Sequence, residues 1–187
     1  MPLDHGYALF GAIARVVPRV HEASNWGIHP VRGRRAGPGE LLLDDSSLVK
    51  LRIPASEIAA VLPLAGAGLE VDGGAVRLGV PRIHALVPSP VLRSRFVTVR
   101  GFFDDPAAFE GAARRQLATI ELGQDPERIA ITVGERRVMR IRDKTIVGFA
   151  VLVEGLDGDA SIALQVAGLG GRRHMGAGVF VPPGRRG

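Results

Sequence analysis

"RIAITVGERRVMRIRDKTIVGFAVLVEGLDGDASIALQVAG", residues 128–168, decides the fold. Residues 128–143 and 144–155 read as two long β segments around a turn near Asp143-Lys144. The apolar run Ile146–Val153 inside the second is far shorter than the roughly 20 residues a bilayer span needs, and it reads as a buried strand. Residues 157–168 read as a short helix closed by Gly168. "AGVFVP", 177–182, then supplies a last strand. Upstream, "VLRSRFVTVRGF" (91–102) sets Leu92, Phe96 and Val97 among alternating polar residues, a strand. "DDPAAFEGAARRQLATIEL" (104–122) is a helix capped by Asp104 or Asp105, with Pro106 in its first turn and Gly123 ending it. The order strand, helix, strand, strand, helix, strand is that of a ferredoxin-like unit.

Pro88 and Pro90 mark a boundary, so the expected units are 1–89 and 90–187. In the first, Asp4 is placed to cap a helix from near His5. Tyr7, Phe10, Ile13 or Ala14, Val17 and His21 recur at helical spacing along one face. Pro18 breaks or kinks that helix, leaving His21 at or just past its end. Residues 22–40, rich in Gly, Pro and Arg, read as loop. "ELLL" (40–43) and "SLVKLRIP" (47–54) read as a hairpin, and "ASEIAAVLPLAG" (55–66) as a short helix. "LEVDGG" (69–74) and "AVRLGVPRIHALV" (75–87) read as β segments about an Asp72-Gly73 turn. This is the same order of elements with one missing, because only three residues precede Asp4. The expected class is α+β, with two tandem ferredoxin-like (RRM-like) units, the first lacking its opening strand.

The 187 residues are 46% hydrophobic, enough for a packed core. The absence of cysteine removes disulfides, thiolate metal sites and cysteine nucleophiles. The opening "MPLDHGYALF" has no basic n-region and no signal-peptide core, so a cytoplasmic protein with no membrane partner is expected. Net charge is +5, and of the 24 basic residues only Lys50 and Lys144 are lysine. Arginine makes flat, bidentate contacts with phosphate, which points to a nucleic-acid partner.

Two segments concentrate that chemistry. "GLGGRRHMGAGVF" (168–180) holds Gly168, Gly170, Gly171, Gly176 and Gly178 around Arg172, Arg173 and His174. Successive free N–H groups in such a loop can form a nest for phosphate oxygens. It is no nucleotide P-loop, since it lacks the Gly-Lys-Ser/Thr ending and precedes a strand. "ERRVMRIRDK" (135–144) is the densest basic run, with Arg136, Arg140, Arg142 and Lys144 on one strand face and Arg137 beside them. Such a face can track an RNA backbone. Aromatic residues are only 5%, so base stacking on a sheet is not expected. Of five histidines, His84 reads as structural and His5 as part of a helix start. His21, next to Glu22, and His29, in a loop with Arg32, Arg34 and Arg35, are the candidates for proton transfer near neutral pH. No His/Asp/Glu spacing suggests a metal site, and no cofactor motif appears.

Together "DHGYALFGAIARVVPRVHE" (4–22), "GIHP" (27–30), "IVGFAVLVEGL" (146–156) and "GLGGRRHMGAGVFVP" (168–182) resemble the sixth Cas family, in the RAMP superfamily. These are the CRISPR-associated endoribonucleases that process repeat RNA, and the resemblance is nearest to the branch named from myxobacterial systems. It covers nearly the whole chain, and the glycine-rich loop is its most specific part. It implies two ferredoxin-like units and one metal-independent cut within each CRISPR repeat. The ribose 2′-OH attacks the adjacent phosphate, leaving a 2′,3′-cyclic phosphate and a 5′-OH. A catalytic histidine just after the first helix makes His21 the best match and His29 the second. The family's helix-borne tyrosine and nearby lysine have no good match: Tyr7 lies early, and no lysine lies near His21, where Arg32, Arg34 or Arg35 would substitute. The expected partners are precursor and processed repeat RNA, and other Cas proteins of an effector complex. The alternative is a non-catalytic RNA-binding subunit of such a complex.

Overall fold

The computed structural model describes residues 1–102 and 104–184. The chain divides into two compact units that are not contiguous in sequence. One comprises Met1–Ile83, Arg140–Lys144 and His174–Gly176, and the other His84–Met139, Thr145–Arg173 and Ala177 onward.

The second unit is ferredoxin-like. Strands β7 (Val91–Val97), β8 (Ala130–Ile141) and β9 (Lys144–Glu154) form a sheet in the order β7-β9-β8, with β7 and β9 antiparallel. The expected last strand is reduced to an isolated bridge at the outer edge of β7. There Arg93 and Val181 exchange both backbone hydrogen bonds, at 2.8 and 2.9 Å, and Gly178 N–H reaches the Phe96 carbonyl. Helix α2 (Pro106–Leu117) starts as expected, its Asp105 cap accepting from the Ala107 N–H at 2.8 Å. It stops six residues before Gly123, because Thr119 and Ile120 hydrogen-bond three residues back in a closing turn. Helix α3 (Gly158–Ala167) is capped by Asp157 and ends at Gly168 with φ of 66°. The core joins the inner sheet face to both helices, with Phe109 and Phe149 packed at 4.7 Å between ring centroids. Burial of these apolar side chains is the main favourable term in folding such a core.

The first unit packs helix α1 (Gly6–Val16) over short strands. Pro18 ends it as expected, and a 3₁₀ turn, Pro18–His21, follows. The buried stripe is Leu9, Ala12, Ile13 and Ala14, while Tyr7 and Phe10 stay half-buried and His21 exposed. Of the face expected from Tyr7, Phe10, Ile13 or Ala14, Val17 and His21, the middle members Ile13, Ala14 and Val17 are buried in the core, and Tyr7, Phe10 and His21 are not. Asp4 does not cap the helix. Its carboxylate accepts the Arg140 N–H at 2.7 Å, and His5 occupies the cap position. His5 is buried, with Nδ1 donating to the Pro2 carbonyl and Nε2 accepting the Val31 N–H, both at 2.9 Å. That pairing requires the neutral ring.

Residues 22–40, read from sequence as loop, contain strands β1 (Gly27–Ile28) and β2 (Arg34–Gly37). The hairpin expected over 40–54 is replaced by two separate pairings. Strand β3 (Glu40–Leu42) pairs with β2, and β4 (Leu51–Arg52) with β1, all antiparallel. Ala55–Leu64 is a 3₁₀ helix containing Pro63. Strands β5 (Gly68–Val71) and β6 (Gly74–Arg77) turn at Asp72-Gly73, both residues with positive φ, as the sequence indicates. The β reading of residues beyond Arg77 fails: they are irregular, and His84 is exposed rather than a strand residue. Residues 1–3 form no strand, but the Leu3 N–H donates to the Gly39 carbonyl and the Leu41 N–H to the Met1 carbonyl, around a Pro2–Glu40 bridge.

Candidate active site and nucleic-acid interface

His21 closes the 3₁₀ turn after α1, where Pro18 forces the chain out of the helix. Its ring lies edge-on to Phe10, with centroids 5.0 Å apart. The other neighbour of the Phe10 ring is His174, at 5.7 Å. His174 Nε2 donates to the Ala23 carbonyl at 2.7 Å, which fixes the proton on that nitrogen. Two histidines from opposite ends of the chain thus flank one phenylalanine.

His21 and Phe10 line an open depression together with Tyr7, Arg15 and the β5–β6 turn. Tyr7 stands one helical turn before Phe10. Its hydroxyl oxygen accepts from Arg142 Nε at 2.7 Å, and the guanidinium sits 5.9 Å from the ring centre. Arg142 reaches it from the β8–β9 turn, where its φ is 55°. The hydrogen bond to Tyr7 holds the Arg142 guanidinium still more firmly protonated than usual. Because the Tyr7 oxygen accepts from Arg142, its own proton remains available for a third group. By sequence position Tyr7 lies too early in the helix to match the family's tyrosine. The structure nevertheless puts Tyr7 in the same depression as His21.

His29 is placed differently. Its N–H bonds to the Lys50 carbonyl at 2.9 Å, extending the β1–β4 pairing, and it does not line the depression. Burial, and then Arg52, Lys50 and Arg32, push its pKa down to about 4. The ring is neutral at physiological pH. Arg32, Arg34 and Arg35 are exposed, the last two on β2.

In the basic run, Arg136, Val138 and Arg140 are alternate residues of β8, the two arginines exposed, while Arg137 is paired with Glu135 at 2.7 Å. Lys144, at the start of β9, is exposed.

The two arms of the glycine-rich loop have their backbone N–H groups bonded within the protein. The N–H groups of Leu169, Gly170, Gly171, Ala177 and Gly178 bond respectively to Gly178 O, Gln116 Oε1, Thr98 O, Arg172 O and Phe96 O. Gly168 and Gly178 both have positive φ, and a Cβ on either would run into a loop carbonyl, Gly178 O or Leu169 O. These two glycines let the loop fold back on itself. A Cβ on Gly176 would strike the Pro30 ring. Arg173 donates to the Ala167 and Val166 carbonyls, both at 2.6 Å, satisfying the end of α3. Burial pulls its guanidinium below its usual pKa. Arg172, by contrast, is exposed, with φ of 63°. Among the described residues no cluster of His, Asp or Glu could hold a metal ion, and no helix is long and apolar enough to cross a membrane.

Comparison with known proteins places these features in a family. The family model described as "Cas6 Crispr" matches residues 1–185. A "CRISPR-associated endonuclease Cas6" from Myxococcus xanthus (strain DK1622) is 43% identical over 185 residues, spanning 99% of this chain and 77% of that one. Among solved structures, a Cas6-related protein from Pyrococcus furiosus superposes with a TM-score of 0.67 at 16% identity, over 97% of this chain and 91% of that one. "An RAMP protein binding different RNA substrates" also gives 0.67, at 14% identity, over 96% and 92%. At such identities these two structures speak for the fold.

Proposed function

The chain belongs to the Cas6 family of CRISPR-associated endonucleases, and on that premise we propose that it cuts CRISPR precursor RNA within the repeat by attack of a ribose 2′-OH. The single observation that carries this reading is that His21 and Tyr7 line one open depression, with Arg142 bonded to the Tyr7 hydroxyl and the Phe10 ring packed T-shaped against His21.

The reaction needs three contributions. A base must take the 2′-OH proton as that oxygen bonds to phosphorus. An acid must protonate the departing 5′ oxygen as its bond to phosphorus breaks. Cations or donors must stabilise the extra charge on the phosphoryl oxygens. His21 is assigned as general acid/base, taking the 2′-OH proton and returning it to the departing 5′ oxygen, its exposed ring being open to substrate from the depression. Tyr7 donates its free proton to a phosphoryl oxygen, and Arg142 supplies a permanent positive charge next to it. His174 acts through Phe10 and Ala23, positioning the turn that carries His21. Arg136, Arg140, Lys144 and Arg172 are assigned to the RNA backbone. Arg137, Arg173 and the loop glycines hold the structure that presents them.

The test is cleavage of the cognate repeat RNA in EDTA, with analysis of the product ends. A 2′,3′-cyclic phosphate, a 5′-OH, and no cleavage when the scissile nucleotide is 2′-deoxy are expected. Cleavage of the 2′-deoxy substrate would refute 2′-OH attack. Tight binding without any cut would favour a non-catalytic RNA-binding subunit.

A further inference from the structure

We propose that His29, Lys50 and Arg52, on one face of the β1–β4 ribbon, form with Arg32 a binding site for an RNA backbone phosphate, away from the His21 depression. The register defines that face. Gly27 lies opposite Arg52 and Ile28 opposite Leu51, and the His29 N–H bonds to the Lys50 carbonyl, one step further along. Side chains directly opposite one another in an antiparallel pair share a face, and alternate residues return to it. His29, Lys50 and Arg52 are therefore neighbours on one side, and Ile28 and Leu51 point to the other. Gly27, opposite Arg52, contributes no side chain to this face.

The chemistry of the group fits a phosphate. Lys50 and Arg32 are exposed, and His29 and Arg52 are half-buried. The charged groups acting on His29 are Arg52, Lys50 and Arg32, all cationic, and together with burial they keep the ring neutral. Burial is the largest cause of the lowered His29 pKa, and the three cations add to it; a bound anion offsets the repulsion that the cations contribute. None of the residues on the ribbon face lines the His21 depression, so the site would hold the strand away from the cut and set its register. The neutral imidazole can donate one N–H to a phosphate oxygen without adding to the repulsion among the cations. His29 thereby takes a binding role in place of the catalytic one that its motif suggests. The inference rests on the RNA-processing reading above.

Two measurements test it. The first follows the His29 ring protons by NMR across a pH titration, with and without a 2′-deoxy repeat strand that cannot be cut. The second compares the salt dependence of repeat-RNA binding for wild type, Lys50→Gln/Arg52→Gln and a control, Arg128→Gln, at an exposed position of the second unit. One expected result is an upward move of the His29 pKa from about 4 on binding. The other, in the double variant alone, is a log–log salt slope shallower by about 0.7 for each phosphate it no longer neutralises. The NMR arm uses wild type and so stands even if the double variant folds poorly. If wild type binds and cuts repeat RNA while His29 does not move and the double variant keeps the slope of Arg128→Gln, the phosphate site is overturned and the nuclease reading survives. If wild type does not bind repeat RNA, that reading falls and the site with it.

Discussion

His174 donates a 2.7 Å hydrogen bond to the carbonyl of Ala23, 151 residues away in sequence and two residues past His21. The same imidazole lies 5.7 Å from the Phe10 ring, which also packs T-shaped against His21 at 5.0 Å. His174 thus ties down the turn that carries His21, the residue proposed for proton transfer. His174→Ala is expected to lower stability by about 1 kcal/mol, the net worth of a typical hydrogen bond. Cleavage should fall further than that stability loss explains, because the 21–23 turn loosens. His174→Gln keeps an N–H donor and should recover part of the rate. Denaturant melts and single-turnover rates on the same variants check both points, and equal rates for Ala and Gln would remove the positioning role.

Tyr7 and Arg142 are joined at 2.7 Å beside the depression. Tyr7→Phe keeps the ring and removes only the hydroxyl. If that hydroxyl supports the phosphoryl oxygens, the single-turnover rate drops about a hundredfold, while RNA affinity changes little. An unchanged rate would assign Tyr7 to holding the β8–β9 turn.

Two loop glycines separate strain from flexibility. Gly178 has φ of 65°, and its Cβ would collide with the Leu169 carbonyl; at Gly171 an added Cβ meets nothing within 4 Å. Gly178→Ala is expected to destabilise the protein by more than about 1 kcal/mol, combining a strained backbone with a clash. Gly171→Ala should be nearly neutral. Chemical denaturation of the pair decides it.

The second unit was legible because its signals are long and local. Strands β8 and β9 run 12 and 11 residues and are joined by a tight turn, so alternation and turn chemistry agree. Helices α2 and α3 begin at Asp residues that cap them. The first unit was not legible in the same way. Its strands are two to four residues long, too short to show a period, and β4 skips past β3 to pair with β1. Asp4 looked like a helix cap because nothing nearby in sequence reveals the Arg140 N–H that binds it. At the site, Pro18 made the position of His21 readable. The place of Tyr7 was not, since it depends on Arg142, 135 residues away. Arg172 and Arg173 look alike in sequence, yet Arg173 turns inward to the α3 carbonyls while Arg172 stays exposed.

His29 also makes stability depend on pH. Its pKa is about 4 in the folded protein against an ordinary value of 6.5. Between those values the unfolded chain binds the proton that the folded chain refuses, so stability rises with pH through this window. As pH falls from 6.5 towards 4, His29 should progressively destabilise the fold. His29→Gln should flatten that slope, as read by urea midpoints at several pH values. A wild-type slope retained in the variant would place the titration on another group.

Single-turnover cleavage of the cognate repeat RNA in EDTA decides whether His21 carries the proton transfer. Wild type and His21→Ala are compared at RNA concentrations shown by separate binding measurements to saturate both. Equal occupancy and a rate lowered by about 10² to 10⁴ in His21→Ala are expected. A His21→Ala protein that is folded, saturated with RNA and cuts at the wild-type rate would contradict that role of His21.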